Sequence, residues 1–446
     1  MTYKTVIVVL SDDFRINDNS ALYYASQNYN NIIPLYVYEE NYLGRNLGAA
    51  SKIFLHQALN SFDNLLYNTY DINLLIQKGD PVEVIKKLSK ELNIDAIYFN
   101  KSYTWRQVQN EQTIKKEFEY LDVQFFKSKL LFHPWEIKSP FSQEYYKVFT
   151  PFSKECLKNI DLIELSSSMP EKINSIHNIE SLKIEDLELV PKNQGKWHDS
   201  ILSNWSFSYQ EIENNFDIFI KNNIAEYKEN RNIPSRNCNS NISPYLRFGM
   251  ISPKMCFNII KSSNVDINNQ FTLELLWREF AYHVMFYNQD IATKELKHVY
   301  QNFKWDDSSE MLQKWQNGKT GFNIVDAGMK ELWNTGVMHG RVRMIVASFL
   351  IKDLLINWRY GEQWFWDTLV DADPAINPFS WQWIFGSGFD SAPYFRIFNP
   401  DLQNKRFDPN DLYCNKWLNN SDQNIRIIDH NIQKNIALDR YKKTLA

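Results

Sequence analysis

Over the first 130 residues, short apolar runs alternate with amphipathic ones. TVIVVL (5–10), NIIPLYVY (31–38), INLLIQ (72–77), IDAIYF (94–99) and VQFFKS (123–128) have the length and β-branched or aromatic content of buried strands. Between them, SKIFLHQALNSFDNLLYNTY and PVEVIKKLSKEL place apolar residues three and four apart, the helical period. Strand alternating with helix predicts an α/β domain over residues 1–130, built on a doubly wound, mostly parallel sheet. From 131 to 204 the periodicity fades into a polar stretch that includes SSSMPEKINSIHNIESLKIEDLELVPKNQGK, expected to be an interdomain linker wrapped on the surface. From 205 to 446 the pattern is nearly all helical. Its clearest runs are FTLELLWREFAYHVMFY (271–287), MHGRVRMIVASFLIKDLLINW (338–358) and EQWFWDTLVDA (362–372).

Composition adds one unusual feature. Hydrophobic residues at 44% and charged residues at 23% exclude a disordered or fibrous chain, but 14 Trp, 24 Tyr and 29 Phe imply a heavily aromatic core or stacking surfaces. A formal net charge of −4 gives no global attraction to nucleic acid, so a DNA-binding surface would have to be a local basic patch. Cys156, Cys238, Cys256 and Cys414 are scattered without CxxC spacing, which argues against a disulfide framework and against a metal site. The amino-terminal apolar run is too short for a signal h-region and no stretch is long enough to span a membrane, predicting a cytoplasmic protein.

The candidate chemistry concentrates in the helical half. In LELLWREF, Glu274, Trp277 and Arg278 fall at i, i+3 and i+4, so one helix face carries an acceptor, a stacking plane and a cation. That set suits a flat ligand with polar edges, although a salt-bridged helix with a buried Trp would read the same way. Arg341 and Arg343 sit in a mainly apolar helix and need partners, which the acids of DADPAINPFSWQW (371–383) could supply. That segment mixes Asp with Trp, residue types that normally live apart. The first βα turn, VVLSDDFRINDN, has no glycine to give a pyrophosphate the close backbone approach of a dinucleotide-binding turn.

The long run from HGRVRMIVASF to YFRIFNP resembles the carboxy-terminal signature of the photolyase/cryptochrome family. Agreement continues in DDFRINDNSAL, YKVFTPF (146–152), SPYLRFGMISPK (243–254), WREF (277–280) and KTGFNIVDAGM (319–329), and is most like the class I cyclobutane pyrimidine dimer photolyases. The resemblance implies a non-covalent FAD in the helical domain. Asp373 would accept a hydrogen bond from the flavin edge, Asp371 would pair with Arg343 beside the ring, and Asn377 would face the flavin N5. Tyr227, Asn239, Ser240, Asn241, Ile242, Ser243, Phe271, Arg278 and Ala372 would complete the cofactor site. Asn239 and Asn241 stand where many relatives have Thr and Arg, and Val337 replaces a common Trp. Trp381, Trp358 and Trp305 match a tryptophan chain that carries electrons inward.

The resemblance further implies blue-light-driven splitting of cyclobutane dimers in UV-damaged DNA by a monomer. Glu274 would hydrogen-bond the dimer bases, Trp277 and Trp383 would form aromatic walls, and Met344 would line the pocket. Arg231, Arg341 and Gln403 match DNA-contacting positions. Gly340 and Met344 occupy the two places where the (6-4) branch has histidines, and Gly340 stands where dimer-repairing relatives have Asn. A cryptochrome-type photoreceptor, or a bacterial cryptochrome preferring single-stranded DNA, is the alternative. A second, antenna chromophore, methenyltetrahydrofolate or a deazaflavin, is left unassigned, because Arg106 and Gln107 stand where folate-binding relatives have an Asn-Glu pair.

Overall fold

The computed structural model describes residues 4–139, 145–160, 163, 168–176, 179–190, 197–392, 394–419 and 425–445. Parts of the expected linker, 140–144, 161–162, 164–167, 177–178 and 191–196, therefore lie outside the described residues. The amino-terminal half alternates β1 (Thr5–Leu10), α1 (Ser20–Asn28), β2 (Asn31–Tyr38), α2 (Ala49–Tyr70), β3 (Leu75–Lys78), α3 (Pro81–Glu91), β4 (Ala96–Asn100), α4 (Trp105–Glu117) and β5 (Asp122–Phe126). The five strands form one sheet in the order β3-β2-β1-β4-β5, with every pairing parallel.

Both sheet faces are covered, so its strands are apolar at nearly every position rather than at alternate ones. Val6, Val8 and Leu10 face α1 and α2, whereas Ile7 and Val9 face α3 and α4 through Ile85, Leu88, Ile114 and Phe118. Pro34 lacks the N–H that an interior strand normally donates. It stays within β2 because the β3 ladder begins one residue later, at Leu35 opposite Leu75. The expected third strand starts late for a related reason: the Leu74 N–H donates to the Asp63 side chain (2.7 Å) instead of to a neighbouring strand.

The connection differs from expectation. Residues 149–158 form a helix, α5 (Phe149–Lys158), and Leu131, Phe132, Ile137, Phe149, Phe152 and Cys156 are buried in a core shared with Leu276, Phe280 and Val284. Its apolar residues come in short clusters without a sustained period, which hid their burial. Burying each such side chain contributes about 1.5–3 kcal/mol, enough to dock this segment firmly on the helical half.

The rest is helical: α6 (Trp197–Leu202), α7 (Tyr209–Asn222), α8 (Tyr227–Asn230), α9 (Ser243–Arg247), α10 (Pro253–Ser262), α11 (Gln270–Tyr287), α12 (Ser309–Gln316), α13 (Asn323–Thr335), α14 (Gly340–Ser348), α15 (Trp358–Thr368), α16 (Ile376–Phe385), α17 (Pro400–Phe407), α18 (Leu412–Trp417) and α19 (His430–Leu445). The run 338–358, expected as one helix, is broken. A π-turn covers Phe349–Asp353, Leu355 takes a positive φ of 56°, and Asn357 caps α15 by accepting from the Arg359 N–H (3.0 Å). The break turns the chain so that α14 and α15 present different faces to α16. No helix among the described residues is long and apolar enough to cross a membrane.

Candidate active site and nucleic-acid face

The acid-rich turn between α15 and α16 organises the site. Asp373 is buried. Its Oδ1 accepts from the Ala375 (2.8 Å) and Ile376 (3.0 Å) N–H groups, capping α16, and its Oδ2 accepts from the Tyr282 hydroxyl (2.8 Å). An ionised carboxylate oxygen can accept more than one donor, so Oδ2 retains capacity toward a ligand. Asp371 accepts from Arg343 Nη2 (3.1 and 3.0 Å) and from Ser243 Oγ (2.7 Å), tying α14 and α9 to this turn. The expected Arg343–Asp371 pair is therefore present. Arg341 finds a different partner from the one expected: it donates to Asn232 Oδ1 (2.6 and 3.1 Å) and lies over the Phe407 ring (4.5 Å).

Asn377 donates its side-chain amide to the carbonyl (3.0 Å) and carboxylate (2.8 Å) of Glu362, which Arg45 from the first half clamps with two bonds (2.7 and 2.9 Å). Its carbonyl oxygen is thus the end left to face a ligand, and no ionisable group takes its place. Arg278 turns toward the Lys129 carbonyl (3.2 Å) and the Glu279 carboxylate (3.4 Å). Tyr227 and Phe271 meet edge-on (5.8 Å) in an aromatic wall with Phe219, and Ile242 and Ala372 are buried nearby. Asn239 and Ser240 are half-buried, whereas Asn241 and Ser243 are exposed, with Asn241 held at a φ of 51°. Asn tolerates that left-handed conformation better than most residues.

Two features fit an anionic, ring-bearing group here. His339 Nε2 is buried without a hydrogen-bond partner among the described residues, and burial followed by the charges of Arg343, Arg341 and Arg231 pushes this imidazole down to about 4. The neutral ring adds no charge to these arginines, of which Arg343 is paired with Asp371 and Arg231 with Glu274. A Cβ added at Gly340 would meet nothing within 4 Å, so the start of α14 borders open space.

The three expected tryptophans differ in depth. Trp381 and Trp358 are fully buried and Trp305 is half-buried. Trp381 meets Phe365 edge-on (5.0 Å) and packs so closely on Gly361 that a side chain there would collide with its ring. Trp305 packs on Phe385 (4.8 Å), one turn after Trp381 on α16.

The second group of expected residues lies on an outer face. Arg231 and Glu274 form an ion pair with each other, and Gln270 also donates to Glu274 (2.8 Å). Trp277 stacks flat on Phe149 at 3.7 Å, so the connecting segment supplies part of this wall. Trp383 is half-buried, donates to the Asp390 carbonyl (2.9 Å), and lines a cleft with Lys352, Tyr394 and Arg396. Met344 is half-buried against the core, and Gln403 lies on α17. Arg341 is pushed down to about 10 by burial and by the neighbouring charges of Arg231, Arg396 and Arg406. Four arginines from four separate stretches thus converge, a basic patch on a chain of net charge −4. Arg396 and Arg406 were not foreseen. They come together only through the fold, and no local spacing signals them.

A second cleft lies where the strand order reverses, beyond the carboxyl ends of β1 and β4, the usual ligand crevice of an open parallel sheet. It is lined by Asp12, Ser102, Gln107 and Lys129 from the first half and by Arg247 and Tyr282 from the second. Arg106 is committed to Glu39 and Asp80, and Gln107 donates to Ser11 Oγ (2.7 Å). An Asn-Glu pair does occur at Asn110–Glu111, but both are buried and spent internally. Asn110 donates to Glu39 (3.0 Å), and Glu111 accepts from the Ser102 N–H (2.8 Å) and pairs with Lys101.

Comparison with known proteins places these sites in context. A family model described as DNA photolyase matches residues 6–172, and one described as the FAD binding domain of DNA photolyase matches residues 271–443. The chain is 35% identical over 427 residues to the deoxyribodipyrimidine photo-lyase of Agrobacterium fabrum, covering 94% of this chain and 88% of that one. Among solved structures, a class III photolyase from Agrobacterium tumefaciens matches with a TM-score of 0.94 and 32% identity, covering 100% of this chain and 98% of that one. The cryptochrome of Synechocystis matches with a TM-score of 0.85 and 25% identity, covering 99% and 100%.

Proposed function

The chain belongs to the photolyase/cryptochrome family of FAD proteins, and from that premise we propose that it is a deoxyribodipyrimidine photo-lyase, splitting cyclobutane pyrimidine dimers under blue light. The observation that carries this reading is the convergence of Arg231, Arg341, Arg396 and Arg406 beside Glu274 and the open space at Gly340.

FAD would be held by Tyr227, Asn239, Ser240, Asn241, Ile242, Ser243, Phe271, Arg343, Asp371, Ala372, Asp373 and Asn377, whereas Arg278, expected in this set, is committed to Lys129 and Glu279 and lines the crevice between the two halves instead. When bound, it supplies the light-driven electron that opens the dimer. The chain's residues do the rest. Arg343 provides positive charge whose position Asp371 fixes, and Asn377 offers an uncharged amide that neither repels an anionic ring nor protonates it. Trp277 and Trp383 receive the extruded lesion between aromatic walls, because a dimer inside a duplex is out of reach. Glu274 exchanges its bond to Arg231 for the dimer's base edges, freeing Arg231 for phosphate. Dimer splitting needs no essential proton donor, and Gly340 and Met344 supply none. The antenna cavity is the crevice at the β1/β4 switch point, its chromophore unassigned; we take the enzyme as a cytoplasmic monomer.

The likeness to the Synechocystis cryptochrome favours one second reading, a blue-light receptor of the same fold. DNA binding separates the two. With dimer-containing oligothymidine, Arg341→Ala should reduce the salt dependence of affinity by about one phosphate contact. Gly340→Asn adds an amide at an exposed first helical position with room for it, so it should preserve or tighten dimer binding by up to about tenfold, or 1.4 kcal/mol. Equal affinity of wild-type protein for irradiated and intact oligothymidine would favour the receptor.

A further inference from the structure

Trp358 does not sit in a plain apolar pocket. Its Nε1–H donates to Glu295 Oε1 at 3.1 Å, and that carboxylate is 3% exposed. The other oxygen, Oε2, pairs with Arg359 at 2.9 Å, and the Arg359 guanidinium lies 4.9 Å over the Trp358 ring. The segment carrying Glu295 is fastened to the helix of Trp381: Gln382 accepts from the Leu296 N–H (2.8 Å) and donates to the Ile291 (2.7 Å) and Lys294 (2.8 Å) carbonyls.

We propose that Glu295 is a positioning residue for electron transfer, its buried carboxylate making Trp358 easier to oxidise than Trp381 and so drawing the positive hole outward. This rests on the reading of Trp381, Trp358 and Trp305 as a relay. One electron passes from Trp358 to oxidised Trp381, no bond breaks, and the indole proton stays on Nε1 in a hydrogen bond that strengthens as the ring becomes a cation. Trp305 then re-reduces Trp358, and an added thiol restores Trp305. Arg359 opposes this effect, but at 35% exposure its field is partly screened by water, whereas that of the carboxylate is not. The acceptor is an oxygen of a buried carboxylate 3.1 Å from the indole nitrogen, and a hydrogen bond to a charged acceptor is stronger than one to a neutral group.

The test compares Glu295→Gln, Glu295→Asp, Arg359→Gln and Trp358→Phe. In FAD-loaded protein with thiol, Glu295→Gln should slow flavin photoreduction at least about tenfold, equivalent to 1.4 kcal/mol. Glu295→Asp should recover part of the rate, and Arg359→Gln should leave it unchanged or raise it. A purely structural ion pair would make Glu295→Gln and Arg359→Gln slow the reaction alike, which would overturn the proposal. The flavin-free protein gives an independent readout. Its ultraviolet resonance Raman band for the indole N–H, isolated by subtracting Trp358→Phe, should report a weaker hydrogen bond in Glu295→Gln, and an unmoved band would also overturn it. Normal photoreduction in Trp358→Phe would remove the relay itself. Blocked photoreduction in Trp358→Phe with a wild-type rate in Glu295→Gln would overturn the role of Glu295 alone.

Discussion

Trp381→Phe should abolish photoreduction of bound oxidised FAD, because it replaces the innermost indole of the row with a ring far harder to oxidise. The site argues that the variant will fold. Phe is smaller than the buried Trp it replaces, the ring faces Phe365 and Gly361, and the lost contacts cost a few kcal/mol at most. Flavin absorbance under blue light with added thiol reads the loss directly. Repair by chemically reduced protein should survive, because a row that only refills the cofactor is bypassed when the flavin is already reduced. Photoreduction at the wild-type rate would mean that electrons arrive by another route, for which Trp315, 6.3 Å from Trp381, is the neighbouring indole.

Asp373→Ala should have the largest effect on stability and cofactor retention together. It removes both side-chain hydrogen bonds to the N–H groups at the start of α16, a loss of about 0.5–2 kcal/mol, and takes the acceptor from the half-buried Tyr282 hydroxyl, a further loss of about 1–3 kcal/mol. The same helix carries Asn377 and Trp381, so fraying its first turn displaces residues on the flavin side. Urea unfolding of the flavin-free protein should show a loss of about 1.5–5 kcal/mol, and gel filtration should separate FAD from the variant. Full FAD retention with unchanged stability would show that the acid-rich turn is not the element that builds the site.

Much of this was readable from residues alone. β1 and β2 fall on TVIVVL and NIIPLYVY without displacement, because central strands covered on both faces must be apolar throughout. α11 likewise follows FTLELLWREFAYHVMFY, where a sustained period meets an Asn269 cap. Legibility failed where a distant partner decides the outcome. Asp63 removes Leu74 from the third strand, and the apolar residues of α5 find their core only across α11. The run 338–358 has helical composition throughout, yet the turn at Leu355 separates Arg343 from Trp358. The Arg343–Asp371 pair could be anticipated because an arginine in a mainly apolar helix needs a partner and the acids of 371–383 were available, although Arg341 met the same need with the Asn232 amide oxygen. Of the arginine patch, Arg231 and Arg341 were anticipated through the family resemblance, whereas Arg396 and Arg406 share no local pattern with them and were not. The motifs do not separate subclasses: those read as most like class I enzymes sit on a fold shared with a class III photolyase that is 32% identical to this chain.

The cleft that Trp383 lines with Lys352, Tyr394 and Arg396 is expected to hold a cyclobutane dimer while it is opened. This is tested by incubating purified, FAD-loaded and reduced protein with UV-irradiated oligothymidine, in blue light and in darkness, and following absorbance at the thymine band. Recovery of that absorbance in light only, with intact thymines as the sole product, is the predicted result. Tight flavin binding with no recovery in light, even at excess enzyme, would contradict it and leave the photoreceptor reading in its place.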